Sequence, residues 1–88
     1  MCTNISHTTR IVGSGKGTTG WFPVVQANVG FDHPIHAPFD HALLLDFVNP
    51  GLGVGARVAV EMNVASGKAL MEQLRIAIEA AEASGVAE

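Results

Sequence analysis

Cysteine is nearly absent from this sequence: Cys2 is the single one among 88 residues. No disulfide can form within the chain, which predicts a protein of the reducing cytoplasm. The first ten residues, "MCTNISHTTR", are polar and lack the hydrophobic region of a secretory signal peptide. Long apolar runs are also missing, and none approaches the roughly 20 residues needed to span a bilayer. We therefore expect a cytoplasmic protein that does not enter a membrane.

Charge is scarce as well. Charged residues make up 15% of the chain and hydrophobic residues 48%, whereas about 25% of residues are charged in ordinary domains. The five Lys and Arg are scattered and the net charge is −3, which argues against a nucleic-acid partner. The length allows one domain, residues 1–88, with a small core. Because so few charges cannot cover a small globule, we expect a homo-oligomer, a dimer or larger.

Period-two alternation and β-branched residues predict four strands. They are residues 4–12, 21–31, 42–49 and 57–63. The glycine-rich stretch "GSGKGTTG", residues 13–20, predicts a flexible turn between the first two strands. A phosphate-binding loop is disfavoured there, because the spacing around Lys16 does not match the P-loop pattern and a strand follows.

A change of period after the fourth strand predicts a C-terminal helix. Apolar residues recur at spacings of three and four, Asn63 and Ser66 are both suitable N-caps, and the pattern fades near Ser84 and Gly85. The resulting order predicts an α+β fold, a four-stranded antiparallel meander (β-β-β-β-α) with the helix packed on one face. The other face carries Leu44, Val48, Val24 and Ala59 and is apolar enough to suit contact between subunits.

The segment "GFDHPIHAPFDHALLL", residues 30–45, contains most of the chain's chemistry. His33, His36 and His41 lie within nine residues of a proline-containing loop. In a meander this loop, Cys2 and the helix N-terminus meet at one end of the sheet. A turn at Pro34 would let His33 and His36 face one site, and a second turn over residues 37–40 would return His41 to the same place. Three histidines with an open position are typical of a catalytic divalent metal, and Cys2 as a fourth ligand would close the shell.

We therefore predict a small metal-binding protein, or a metal-dependent enzyme acting on a small molecule, with zinc first and iron, copper or nickel as alternatives. A metal-free alternative uses the same histidines as general acid or base, oriented by Asp32 or Asp40, with Cys2 as nucleophile. That protein would bind a small molecule, or act as an acid–base enzyme of a biosynthetic pathway, in a pocket at a subunit interface. A purely structural assembly protein is the third reading, and the sequence does not identify a reaction.

Several segments together carry a resemblance. The chain starts Met-Cys-Thr and contains "GSGKG", "GWFPV", "DHPIHAPFDHAL", "DFVNP" and "RVAVEM" before the helix. In these features it resembles a family of short, uncharacterised bacterial proteins over nearly its whole length. The resemblance implies that Cys2 belongs to the native start of the chain. It brings no assigned activity, so it transfers no functional residue.

Overall fold

The computed structural model describes residues 5–86 and residue 88. Its elements in chain order are β1 (Ile5–Gly17), β2 (Gly20–Asp32), β3 (Ala42–Val48), a short 3-10 turn (Pro50–Leu52), β4 (Arg57–Met62) and α1 (Val64–Ser84). The strands form one antiparallel sheet in the order β1-β2-β3-β4. The predicted α+β meander with a C-terminal helix is confirmed.

The hairpin of β1 and β2 is longer than its sequence indicates. Residues 13–17 continue β1 in register with β2, and the connection is reduced to Thr18 and Thr19. The prediction that residues 13–20 form a flexible turn is therefore wrong. Gly15 lies where a Cβ would be 2.9 Å from a Val24 methyl group and 3.4 Å from Val58. Glycine at residue 15 therefore leaves room for the Val24 and Val58 side chains, and such close approach is a common reason for a glycine within a strand.

An irregularity bends this hairpin. The pairing moves from Arg10 opposite Gln26 to Gly13 opposite Val24, so two residues of β1 face one residue of β2. Such a bulge increases the local twist. Val24 and Ala27 are both buried although they lie three residues apart in one strand, because the inward direction changes at this bend.

The two faces of the sheet differ in polarity. Cross-strand pairing places Thr8, Asn28 and Asp46 on the first face, where Thr8 and Gln26 both donate hydrogen bonds to Asn28 Oδ1. We call this the polar face. The second face, the apolar face, is built from alternating residues of all four strands: Ile5, His7, Ala27, Val29, Phe31, Leu43, Leu45, Phe47, Val58, Val60 and Met62.

The helix begins after Asn63, one of the two predicted N-caps, and ends at Gly85, close to where the sequence pattern fades. The Asn63 side chain accepts a hydrogen bond from the Ser66 amide, and Gly85 adopts a left-handed conformation at the C-terminus. Contact with the sheet occurs at the first turn, where Gly67 lies against Leu43 and every residue from 68 to 86 is exposed. Within the described residues no helix combines the length and apolar character that a membrane crossing requires.

Candidate functional site

The histidine loop, residues 33–41, joins β2 to β3 at the end of the sheet where α1 begins. Phe31 pairs with Leu43, and Leu43 pairs with Met62, one residue before the Asn63 cap. The predicted convergence of this loop and the helix N-terminus is therefore present. Cys2, predicted as nucleophile and fourth metal ligand, lies outside the described residues.

Glu61 of β4 fixes the shape of the loop. Its Oε2 accepts a hydrogen bond from the Ile35 amide at 2.6 Å, and its Oε1 accepts from the His36 and Ala37 amides at 3.0 and 2.9 Å. Three successive backbone N–H groups thus surround one carboxylate, as in the anion-binding concavities called nests. The loop is tied to a strand 24 to 26 residues further along the chain.

These bonds also determine the ionisation of Glu61. The amides of Ile35, Ala37 and His36 donate to the charged form and hold the pKa of the Glu61 carboxyl below its ordinary value of 4.5. Glu61 is therefore a carboxylate at neutral pH. Both of its oxygens are occupied by the loop, so its role at this site is to hold the backbone in place.

His33 is oriented by a backbone carbonyl. Its Nδ1 lies 2.8 Å from the Asp40 oxygen, and because a carbonyl only accepts, Nδ1 must carry the proton in this contact. The Nε2 atom of the neutral ring then presents a lone pair. The Asp32 carboxylate accepts from the His33 amide at 2.7 Å. The Asp32 carboxylate therefore bonds the backbone of His33, whereas Asp40 bonds the His33 ring through its main-chain oxygen.

The three loop histidines are placed differently. His41 stacks on Phe31 with ring centroids 5.6 Å apart, and the His33 ring lies 4.5 Å from that of His41. His36 and His33 both line a cleft on the polar face. Within the part of the chain that the structure describes, no three His, Cys, Asp or Glu side chains are grouped as a metal would require.

The cleft lies beside the loop and has a volume of about 670 Å³. Its floor is formed by alternating residues of β3 and β4, and the histidine loop forms one wall: Leu44, Asp46, Arg57, Ala59, Glu61, His33, Ile35, His36 and Ala37. Apolar side chains and charged groups thus meet in one open space. Pockets for small molecules commonly combine an apolar lining with a few oriented polar groups.

One ion pair lies in the cleft. Arg57 Nε donates to Asp46 Oδ1 at 2.7 Å, and Arg57 Nη2 lies 2.7 Å from the same oxygen. Among the described residues no donor reaches Asp46 Oδ2, which leaves this oxygen to accept from a ligand. Counted as formal charges with the two histidines neutral, Asp46, Arg57 and Glu61 give the cleft a net charge of about −1.

Sequence reasoning did not identify Glu61, Asp46 or Arg57 as site residues. A signal for Glu61 was present, since it is an acidic residue on the outward side of a strand that ends beside the loop. Asp46 lies near the end of β3 and Arg57 at the start of β4, and because the strands are antiparallel these positions are neighbours. The contact between the two side chains depends on the register of β3 and β4. The sequence of either strand alone does not determine that register.

A model of a family of unknown function, DUF6295, matches residues 1–87. The chain therefore belongs to this family. Neither the curated proteins nor the solved structures contain a match to it.

Proposed function

We propose that the cleft beside the histidine loop binds a small molecule without a metal. The observation that carries the proposal is that His33 and Asp46 line one cleft with the apolar residues Leu44 and Ala59, while His33 Nδ1 and Asp46 Oδ1 are already engaged. This leaves His33 Nε2 and Asp46 Oδ2 as the acceptors for a ligand. Such acceptors select a ligand that donates hydrogen bonds. The negative charge of the cleft favours a neutral or cationic ligand over an anionic one.

The ligand class follows from these groups. An apolar body would lie on Leu44 and Ala59, and a hydroxyl or amino group would donate to His33 or Asp46. Because its Nδ1–H is held by Asp40, His33 is also suited to take a proton from a bound hydroxyl or ammonium group through Nε2. Binding is the proposed function, and proton transfer at His33 is the chemistry that this geometry favours if the protein is an enzyme.

The test is a binding screen by ¹H–¹⁵N NMR with short-chain and cyclic primary amines and alcohols, with carboxylates of matched size in parallel. We expect shift changes at Leu44, Asp46 and Ala59 for amines or alcohols. His33→Gln should weaken binding by up to roughly ten-fold, since a hydrogen bond between neutral groups contributes about 0.5–1.5 kcal/mol. Asp46→Asn should weaken it by at least roughly ten-fold, since a hydrogen bond to a charged group contributes about 1.5–3 kcal/mol. His7→Gln is the matched control, because His7 lies on the apolar face.

Two results would refute the proposal. One is the absence of any shift change on the polar face with every probe at millimolar concentration. The other is preferential binding of the carboxylates, which would mean that Arg57, and not the two acceptors, selects the ligand.

We propose divalent metal binding, zinc first, as the second candidate. The observation in its favour is the hydrogen bond from His33 Nδ1–H to a backbone carbonyl, the arrangement that usually orients a metal-ligating imidazole. The neighbouring ring of His41 supplies a second nitrogen donor, whereas His36 and Cys2 remain predicted ligands. Elemental analysis of the untagged protein, beside a His33→Ala/His36→Ala variant, tests it.

The two candidates are separable. Treatment with a chelator leaves the NMR response to amines and alcohols intact if the cleft acts alone. Near-stoichiometric metal that is lost in the double variant would support the second candidate. No metal after incubation with zinc, iron, nickel or copper would reject it.

A further inference from the structure

The described chain buries very little of itself. Val24, Ala27 and Ala42 are the buried apolar residues among those that the structure describes, and none of its large side chains is fully buried. Most residues of the apolar face are half-exposed, including Ile5, Val29 and Val60. A three-residue interior is too small to offset the conformational entropy of ordering a chain of this length.

The exposed surface area also shows that the chain buries too little of itself. The chain exposes 6661 Å², whereas a compact monomer of its 9.2 kDa mass exposes about 4,900 Å². The excess of about 1,700 Å² per chain, doubled for a pair, falls within the roughly 2,000–5,000 Å² buried by obligate dimers. The radius of gyration, 14.6 Å, likewise exceeds the about 12 Å of a compact chain of this length.

The helix accounts for much of this excess. Leu70, Leu74 and Ile78 follow one another at intervals of four residues and are 41%, 54% and 55% exposed, which forms an apolar stripe along α1. The opposite side carries a hydrogen-bonded charged network in which Arg75 bonds both Glu72 and Glu79. The helix therefore has one side suited to water and one side that lacks a cover.

The length of the helix matches the sheet. Residues 68–84, which extend beyond the contact with Leu43, span about 25 Å at 1.5 Å per residue. The seven residues of β3 span about 24 Å at 3.4 Å per residue. A helix of this length can cover the apolar face along the whole of β3, and the apolar face is the surface in this chain that needs a cover of that shape.

We infer that the apolar face and the stripe of α1 are the interface with a second copy of this chain. Each helix lies across the apolar face of the partner, so that the two copies exchange helices about a two-fold axis. The geometry favours exchange because α1 leaves its own sheet after Gly67. The charged side of each helix then remains in solvent. The polar face, which carries the cleft and the residues Leu44, Val48 and Ala59 that the sequence suggested for contact between subunits, stays outside the interface.

The first test is the mass in solution, measured by light scattering after gel filtration and by sedimentation equilibrium at micromolar concentration. We expect twice the chain mass of 9.2 kDa. Leu74→Glu places a charge in the stripe and should raise the dissociation constant at least a hundred-fold. Lys68→Glu is the matched control, because it introduces the same residue on the charged side and should leave the dimer intact.

The second test locates the interface even if Leu74→Glu fails to fold. In a Cys2→Ser background, a tagged chain carrying Leu74→Cys is co-expressed with an untagged chain carrying Val60→Cys, and a short bismaleimide is added. A covalent heterodimer is expected. Replacing Leu74→Cys by Glu79→Cys on the charged side of the helix should abolish the product.

Three outcomes would overturn the inference. A monomer at high micromolar concentration excludes the interface altogether. A dimer that gives no Leu74–Val60 product uses another surface. A doubly substituted single chain that cross-links within itself, and not to its partner, shows that each helix covers its own sheet.

Discussion

The contact between Gly67 and Leu43 sets the direction in which the helix leaves the sheet, and Gly67→Ala tests it. A Cβ at residue 67 would overlap the Leu43 Cδ1 atom and lie 3.7 Å from its Cγ. Two effects of opposite sign compete. Alanine is favoured over glycine in a helix interior by about 1 kcal/mol, whereas forcing an extra methyl group into a packed contact costs about 1–3 kcal/mol.

We expect the steric effect to win. Gly67→Ala should lower the free energy of unfolding by about 1 kcal/mol, the difference between the two effects at mid-range. For a domain of this size the melting temperature should fall by about 4–8 °C. The assay is urea unfolding followed by circular dichroism, with all variants at one protein concentration because an oligomer's stability depends on it.

The control reverses the sign. In a Leu43→Ala background the obstructing side chain is gone, so Gly67→Ala should become stabilising by up to about 1 kcal/mol, the helix propensity alone. Ala69→Gly, at an exposed position of the same helix, calibrates that propensity. Equal effects of Gly67→Ala in both backgrounds would refute the argument that close packing requires glycine at residue 67.

Three further predictions concern the loop, the cap and the cleft. Because the pKa of Glu61 is lowered in the folded protein, its carboxylate contributes stability that is present above pH 4.5 and is lost as the pH falls through the folded pKa. The amide shifts of Ile35 and His36 should change over this acidic pH range, and Glu61→Gln should abolish that change. Asn63→Ala should cost about 1 kcal/mol of unfolding free energy, measured by urea unfolding, and Asn63→Asp should largely retain it. Arg57→Gln should remove the guanidinium contacts to Asp46 Oδ1 and change the NMR shifts of the Asp46 carboxylate, whereas unchanged shifts would show that the ion pair does not persist in solution.

Alternation and capping residues were sufficient to predict much of the fold. The segments around Val29, Leu45 and Val60 predict strands correctly, and Asn63 and Gly85 mark the helix ends. The predicted extent of the hairpin was wrong around Gly15, because a glycine in a turn and a glycine beneath a neighbouring side chain cannot be distinguished in the sequence. The decision between them depends on Val24 and Val58, which lie in other strands.

The candidate site was predicted in part. Chain order alone brings the histidine loop to the helix N-terminus, and the structure agrees. Sequence could not foresee that Glu61 would occupy the loop amides or that His33 would bond a backbone carbonyl. Both contacts depend on the conformation of residues 33–41, where two prolines restrict the backbone without defining a regular element.

The unbroken meander order also constrains how the chain folds. Every strand pairs with its neighbour in sequence, so the sheet can form strand by strand without a crossover connection. The bonds from Glu61 to the loop can form only after β4 has joined β3, since they span 24 to 26 residues. The histidine loop therefore acquires its shape late in folding, and a substitution at Glu61 is expected to accelerate unfolding while leaving the folding rate nearly unchanged.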